Sequence, residues 1–189
     1  MILYLHGLNS APSSHKAQLL ASRMEELGLA DRLLIPHLPF EPRRAIALAE
    51  RLAASLGGDL TLVGSSLGGF YALFLAEQLG LKAVLVNPAV DAPKLARQWF
   101  GPQKNLYTGE EWVLTEDHAR QLAALDVPQI TRPERYLLLV ETGDEILPWR
   151  RAVEKFAGAR QIVVEGGDHG FQSFPQYLNE ILRFAGLVD

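Results

Sequence analysis

The chain contains no cysteine. Disulfides, thiolate metal sites and a cysteine nucleophile are therefore excluded together, and the absence fits a reducing compartment. Long apolar runs are missing as well, since none approaches the ~20 residues needed to span a bilayer. The opening Met1-Ile-Leu-Tyr-Leu-His6-Gly7 has neither the basic segment nor the apolar stretch of a secretory signal. A cytoplasmic location without membrane insertion is expected. Positive charge is scarce too: 18 Lys and Arg against 22 Asp and Glu give a net charge of −4 at pH 7. No basic field is present to attract nucleic acid or an anionic membrane surface. No His, Asp or Glu cluster has metal-ligand spacing, and the glycines at 64–69 lack the Lys-Ser/Thr of a phosphate-cradling loop. Neither a metal nor a cofactor is expected.

What remains is an ordinary globular balance, 48% hydrophobic and 21% charged over 189 residues. That is room for one domain, 1–189, with a substantial core. Short apolar runs recur at Ile2–Leu5, Leu33–Ile35, Leu60–Val63, Ala83–Val86, Tyr136–Val140 and Gln161–Val164. Continuous rather than alternating apolar runs mark strands buried on both faces, as in a parallel sheet. Between them, helical spacing appears over Lys16–Leu27, Pro42–Leu56, Leu67–Leu79, Pro148–Phe156 and Phe174–Phe184. Prolines near starts and glycines after ends punctuate several of these. A β-α-β-α succession predicts a doubly wound α/β fold with a mostly parallel sheet of about six strands.

Asp91–Arg132 interrupts the rhythm. It carries Trp99, Phe100, Tyr107 and Trp112, two helical patches at Pro93–Trp99 and Thr115–Leu125, and no strand signal. An insertion of this length reads either as a short helical cap over the sheet or as a decorated crossover whose aromatics pack on the domain.

The chemistry is concentrated at strand ends. Leu60-Thr-Leu-Val-Gly64-Ser65-Ser66-Leu67-Gly68-Gly69 runs from strand through Gly-x-Ser-x-Gly into helix. This is the context of a nucleophile elbow, with Ser66 on the turn and the helix N-terminus behind it favouring developing negative charge. Ser65 is a weaker candidate, and a glycine-rich turn with a capping serine is the plain alternative. A serine hydroxyl needs a base. His169 follows the last strand in Glu165-Gly-Gly-Asp168-His169-Gly170, where glycines let a loop carry an imidazole to the sheet edge. The acid that orients it belongs after the preceding strand, where Asp144 is preferred over Glu141, Glu145 and the more distant Asp91, while Asp168 points elsewhere. Two backbone N–H groups should form an oxyanion hole: Leu67, after the nucleophile, and Leu8 in the loop after the first strand, with Asn9 as second choice. His6 and Gly7 shape that loop. His37, after the second strand, has a pocket rim within reach but is not read as a site residue, and His15 and His118 are placed in solvent.

At these motifs the chain resembles the YqiA-like family of small bacterial α/β-hydrolase esterases. The matching text is Leu3-Tyr-Leu-His-Gly-Leu-Asn-Ser10, Val63-Gly-Ser-Ser-Leu-Gly-Gly69, Val86-Asn-Pro-Ala-Val90, Tyr107-Thr-Gly109, Thr142-Gly-Asp-Glu145 and Glu165-Gly-Gly-Asp-His169. The resemblance implies an α/β-hydrolase fold, a Ser66–His169–Asp144 triad and hydrolysis of carboxylic esters or acyl thioesters such as acyl-CoA. Leu8, His37 and Asp168 depart from the Phe, Gln and Asn that the family tends to carry, which bears on substrate preference. The expected partner is a small-molecule ester or thioester. A catalytically silent binding module is the alternative from another class, and both monomer and homodimer stay open.

Overall fold

Six short apolar runs pair as the central sheet of the computed structural model, which describes residues 1–189. The first half runs β1 (Ile2–Leu5), α1 (His15–Glu26), β2 (Leu33–Leu34), α2 (Pro42–Leu56), β3 (Thr61–Ser65), α3 (Leu67–Leu79) and β4 (Lys82–Val86). The second half runs α4 (Ala92–Gln98), β5 (Gly101–Lys104), β6 (Glu111–Leu114), α5 (Glu116–Ala123), β7 (Tyr136–Glu141), α6 (Trp149–Lys155), β8 (Arg160–Val164) and α7 (Phe174–Phe184). The sheet order is β2-β1-β3-β4-β7-β8, and every neighbour pair is parallel.

Parallel strands need crossover helices, and these cover both faces. Alternation along each strand divides the apolar residues between two cores. Leu3, Leu5, Leu62, Leu85 and Leu138 face the α2–α3 side, while Ile2, Tyr4, Val63, Val84 and Leu137 face α1 and α7. The α3 helix is buried along most of its length, as expected of the helix behind a central strand. No helix is long and apolar enough to cross a membrane.

The insertion corrects one expectation. Its helical patches are present as α4 and α5, but between them β5 and β6 form an antiparallel hairpin with Gln103 opposite Trp112. The insertion therefore combines two helices with two short strands and is not purely helical. Four-residue strands, one of them Gly-Pro-Gln-Lys, lie below what residue patterning detects. The hairpin is held by contacts distant in sequence. Asn105 Nδ2 donates to the Ser10 carbonyl at 2.8 Å, and the Leu106 N–H donates to the Asn9 carbonyl at 2.9 Å.

Candidate active site

The C-terminal ends of the parallel strands converge at the β3–α3 turn, where sheets of this kind place their ligands. Ser66 sits there with φ 55° and ψ −120°, a backbone conformation that ordinary side chains avoid. The turn is fixed by the Ser66 N–H donating to the Val86 carbonyl and by the Ala89 N–H donating to the Ser66 carbonyl, both at 3.0 Å. Glycines make the turn possible. A Cβ at Gly64 would collide with the Gly68 carbonyl, and one at Gly68 with the Leu5 carbonyl. Ser65, the competing serine, is a buried strand residue of β3.

His169 reaches the same point from the loop after β8. Its Nε2 lies 3.1 Å from Ser66 Oγ, and its Nδ1 lies 2.9 Å from Asp144 Oδ2. The Asp144 carboxylate can only accept, so Nδ1 carries the proton and Nε2 presents a lone pair to the serine hydroxyl. Asp144 is itself fixed, because its Oδ1 accepts the N–H groups of Ile146 and Leu147 at 2.9 and 2.8 Å. The structure thus brings Ser66, His169 and Asp144 into one chain of hydrogen bonds. The other acids do different things. Asp91 pairs with Arg151 at the surface, Glu145 accepts the His169 N–H at 2.9 Å, and Asp168 accepts from the Gln172 side chain. Glu141 is fully buried at the end of β7.

The β1 loop lies directly against the elbow: a Cβ at Gly7 would stand 3.1 Å from that of Ser66. Leu8, in that loop, and Leu67 both line the cavity into which Ser66 opens. Leu67 is the first residue of α3, where N–H groups have no carbonyl within the helix to bond. His6 shapes the loop as expected. Its Nε2 accepts the Leu38 N–H at 3.0 Å, which leaves Nδ1 to donate to the Gly7 carbonyl, also at 3.0 Å. Burial lowers its pKa; the Gly7 carbonyl opposes this and His37 adds to it. The imidazole stays neutral and structural.

Asn9 is where sequence reasoning fell short. Its φ is 54°, its Oδ1 accepts the Trp112 indole N–H at 2.8 Å, and its Nδ2 donates to Gln103 Oε1 at 2.9 Å. One asparagine therefore fastens both strands of the cap hairpin to the β1 loop. His118, expected in solvent, instead caps α5 through Thr115 and packs its ring 5.4 Å from that of Trp112. Asn87 was also missed as a functional residue, its signal being only its place in Val86-Asn-Pro-Ala-Val90.

Between the cap and the strand ends lies an apolar cavity of about 300 Å³. Ser66 and His169 open into it, beside Phe40, Trp112, Leu114, Leu122, Ile146 and Leu147. No lysine or arginine lines it. No group of three or more His, Asp or Glu side chains converges to hold a metal ion.

A six-stranded parallel sheet, helices on both faces and a serine on the β3–α3 turn define an α/β-hydrolase fold. Solved structures agree. The α/β-hydrolase domain-containing protein 10 from mouse superposes with TM-score 0.73 at 17% identity, over 96% of this chain and 87% of that one. Est1E from Butyrivibrio proteoclasticus, solved with ferulic acid bound, gives 0.70 at 14%, over 96% and 86%. The monoacylglycerol lipase of Paleococcus ferrophilus gives 0.66 at 17%, over 97% and 93%. The chain belongs to the uncharacterised protein family UPF0227, whose model matches residues 1–186; this is the YqiA-like family that its motifs resemble.

Proposed function

We propose that this protein is a serine hydrolase that cleaves carboxylic esters of apolar acids. The observation that carries the reading is the unbroken sequence of hydrogen bonds from Asp144 through His169 to Ser66, opening into an apolar cavity. Ser66 Oγ attacks the ester carbonyl while His169 Nε2 takes its proton, and the Asp144 carboxylate stabilises the imidazolium. The N–H groups of Leu8 and Leu67 hold the oxyanion. His169 then gives its proton to the leaving alkoxide, leaving an acyl group on Ser66. Water, deprotonated by His169, attacks that acyl-enzyme; collapse releases the acid and returns the proton to Ser66. The chemistry requires no cofactor.

The leaving alcohol has to lie within reach of His169 Nε2, which protonates it. The acyl chain lies along the apolar lining, to which segment 91–132 contributes Trp112 and Leu122 among others. Oxygen esters are favoured over acyl-CoA because no cation lines the cavity to meet the phosphates of the larger leaving group.

Fluorophosphonate labelling followed by peptide mass spectrometry tests the reading. Stoichiometric label on Ser66, lost in His169→Ala, is the expected result. A folded protein that takes no label would overturn it. Matched oxygen and thiol esters, assayed side by side, decide between ester and thioester.

A further inference from the structure

The loop that delivers His169 has no regular secondary structure over residues 165–173, yet its imidazole is placed between two partners at hydrogen-bond distance. Something outside the loop must therefore hold its backbone. Glu141 is the centre of that hold. Its carboxylate accepts the N–H groups of Asp168 at 2.8 Å, Ser173 at 2.9 Å and Gln172 at 3.2 Å. The chain thus wraps around one buried side chain. Burial alone would raise the Glu141 pKa, but the Ser173 hydroxyl and the three amides outweigh it and hold the carboxylate below its ordinary range.

Steric detail supports the same wrapping. Gly167 has φ 70°, and a Cβ there would collide with the Glu141 carboxylate; one at Gly143 would collide with the Gly167 carbonyl. Two further side chains complete the hold. Asn87 Nδ2 donates to the carbonyls of Asp168 and His169 at 3.1 and 3.2 Å, while its Oδ1 accepts the Glu141 N–H at 3.0 Å. From α1, Lys16 Nζ donates to the Gly170 carbonyl at 2.7 Å, its charge facing Asp168, Glu141 and Asp144.

We propose that Glu141, with Lys16 as the facing cation, is the positioning carboxylate of this site: it folds segment 168–173 around itself and so sets His169 between Asp144 and Ser66. The proposal rests on the Ser66–His169–Asp144 reading. Glu141 touches no reacting atom. It differs from Asp144 in holding backbone rather than the imidazole, and the two carboxylates therefore fail differently when replaced.

The test compares Glu141→Gln with Asp144→Asn, with kcat expressed per site of folded protein, the folded fraction read by circular dichroism, so that unfolded protein does not count. Glu141→Gln is expected to lose about 10²-fold in kcat with KM little changed, the cost of a roughly 1 Å misplacement of a catalytic group. Asp144→Asn is expected to lose about 10⁴-fold through the wrong tautomer. A strongly deshielded proton on His169 Nδ1 is expected in the NMR spectrum of the wild type and should broaden or vanish in Glu141→Gln. Wild-type kcat per site together with an unchanged proton signal would overturn the proposal. So would a loss larger than that of Asp144→Asn, which would make Glu141 the orienting acid. Should Glu141→Gln fail to fold, Lys16→Gln takes its place, retaining a donor for Gly170 while removing the cation. A kcat loss of roughly tenfold is expected there, and an unchanged kcat and proton signal would count against the proposal. If the wild type hydrolyses no ester and takes no label, the Ser66 reading fails alone, because the proton signal still reports whether Glu141 positions the imidazole.

Discussion

Ser66 occupies a backbone conformation tolerated only because its neighbours have no side chains in the way. Replacing Gly68 by Ala would drive a Cβ into the Leu5 carbonyl, so a large loss of thermal stability or of soluble yield is expected, and a variant as stable as wild type would contradict the packing described. Ser66→Ala should keep the fold and lose about 10⁶-fold in kcat, because the triad acts as a unit; circular dichroism and ester turnover check the two halves separately. Ser66 and His169 were legible in the sequence because each is a single residue at a strand end flanked by glycines. Asp144 was legible only as one of several acids. Glu141, Asp144 and Glu145 lie within five positions and all bond the His169 loop, through different atoms. Spacing cannot sort them, because the sorting is done by a second loop 25 residues away.

The cap hairpin is the element that patterning did not reach. Its strands are short and one is polar, and its stability comes from Asn9 and Asn105 rather than from β propensity. The two cap helices, by contrast, were readable from apolar spacing. Trp112→Phe keeps the ring stacked on Phe40 at a centroid distance of 4.8 Å but leaves Asn9 Oδ1 without its indole donor. A cost of about 1–3 kcal/mol in stability is expected, together with a fall in kcat as the Leu8 N–H loses its setting, measured by urea denaturation and by turnover. The cavity roofed by this element has room for about ten heavy atoms at the ~30 Å³ that each water occupies in the liquid. Turnover of a series of p-nitrophenyl esters should therefore rise with acyl length to about eight to ten carbons and fall beyond. A monotonic rise through palmitate would show that the chain lies elsewhere.

Across the whole molecule, sheet order and helix placement follow from the alternation of apolar runs and amphipathic segments, and these were the most legible features of all. Acid sensitivity belongs to this scale. His6, mainly by burial, and Glu141, by its hydrogen bonds, are among the groups whose pKa values are held below their ordinary positions. In each case the unfolded chain binds a proton before the folded one does, so stability rises with pH through these ranges. The contribution of His6 is complete above the ordinary imidazole value of about 6.5 and declines below it; that of Glu141 is lost lower, as pH falls through its depressed carboxylate value. Urea midpoints measured from roughly pH 3 to 7 should fall toward acid, less steeply at the lower end in Glu141→Gln. An identical slope in wild type and variant would remove Glu141 from the acid response.

Asn9 grips Trp112 and Gln103 with the same side chain whose backbone follows Leu8. The roof of the cavity and the β1 loop, with the oxyanion donor proposed at Leu8, are consequently one inheritance unit. A chimera that received a relative's cap without its β1 loop would leave the asparagine's donor and acceptor unmatched and the roof unanchored. Substrate range in this lineage should therefore evolve, and be engineered, by exchanging the two segments together, although they lie nearly a hundred residues apart.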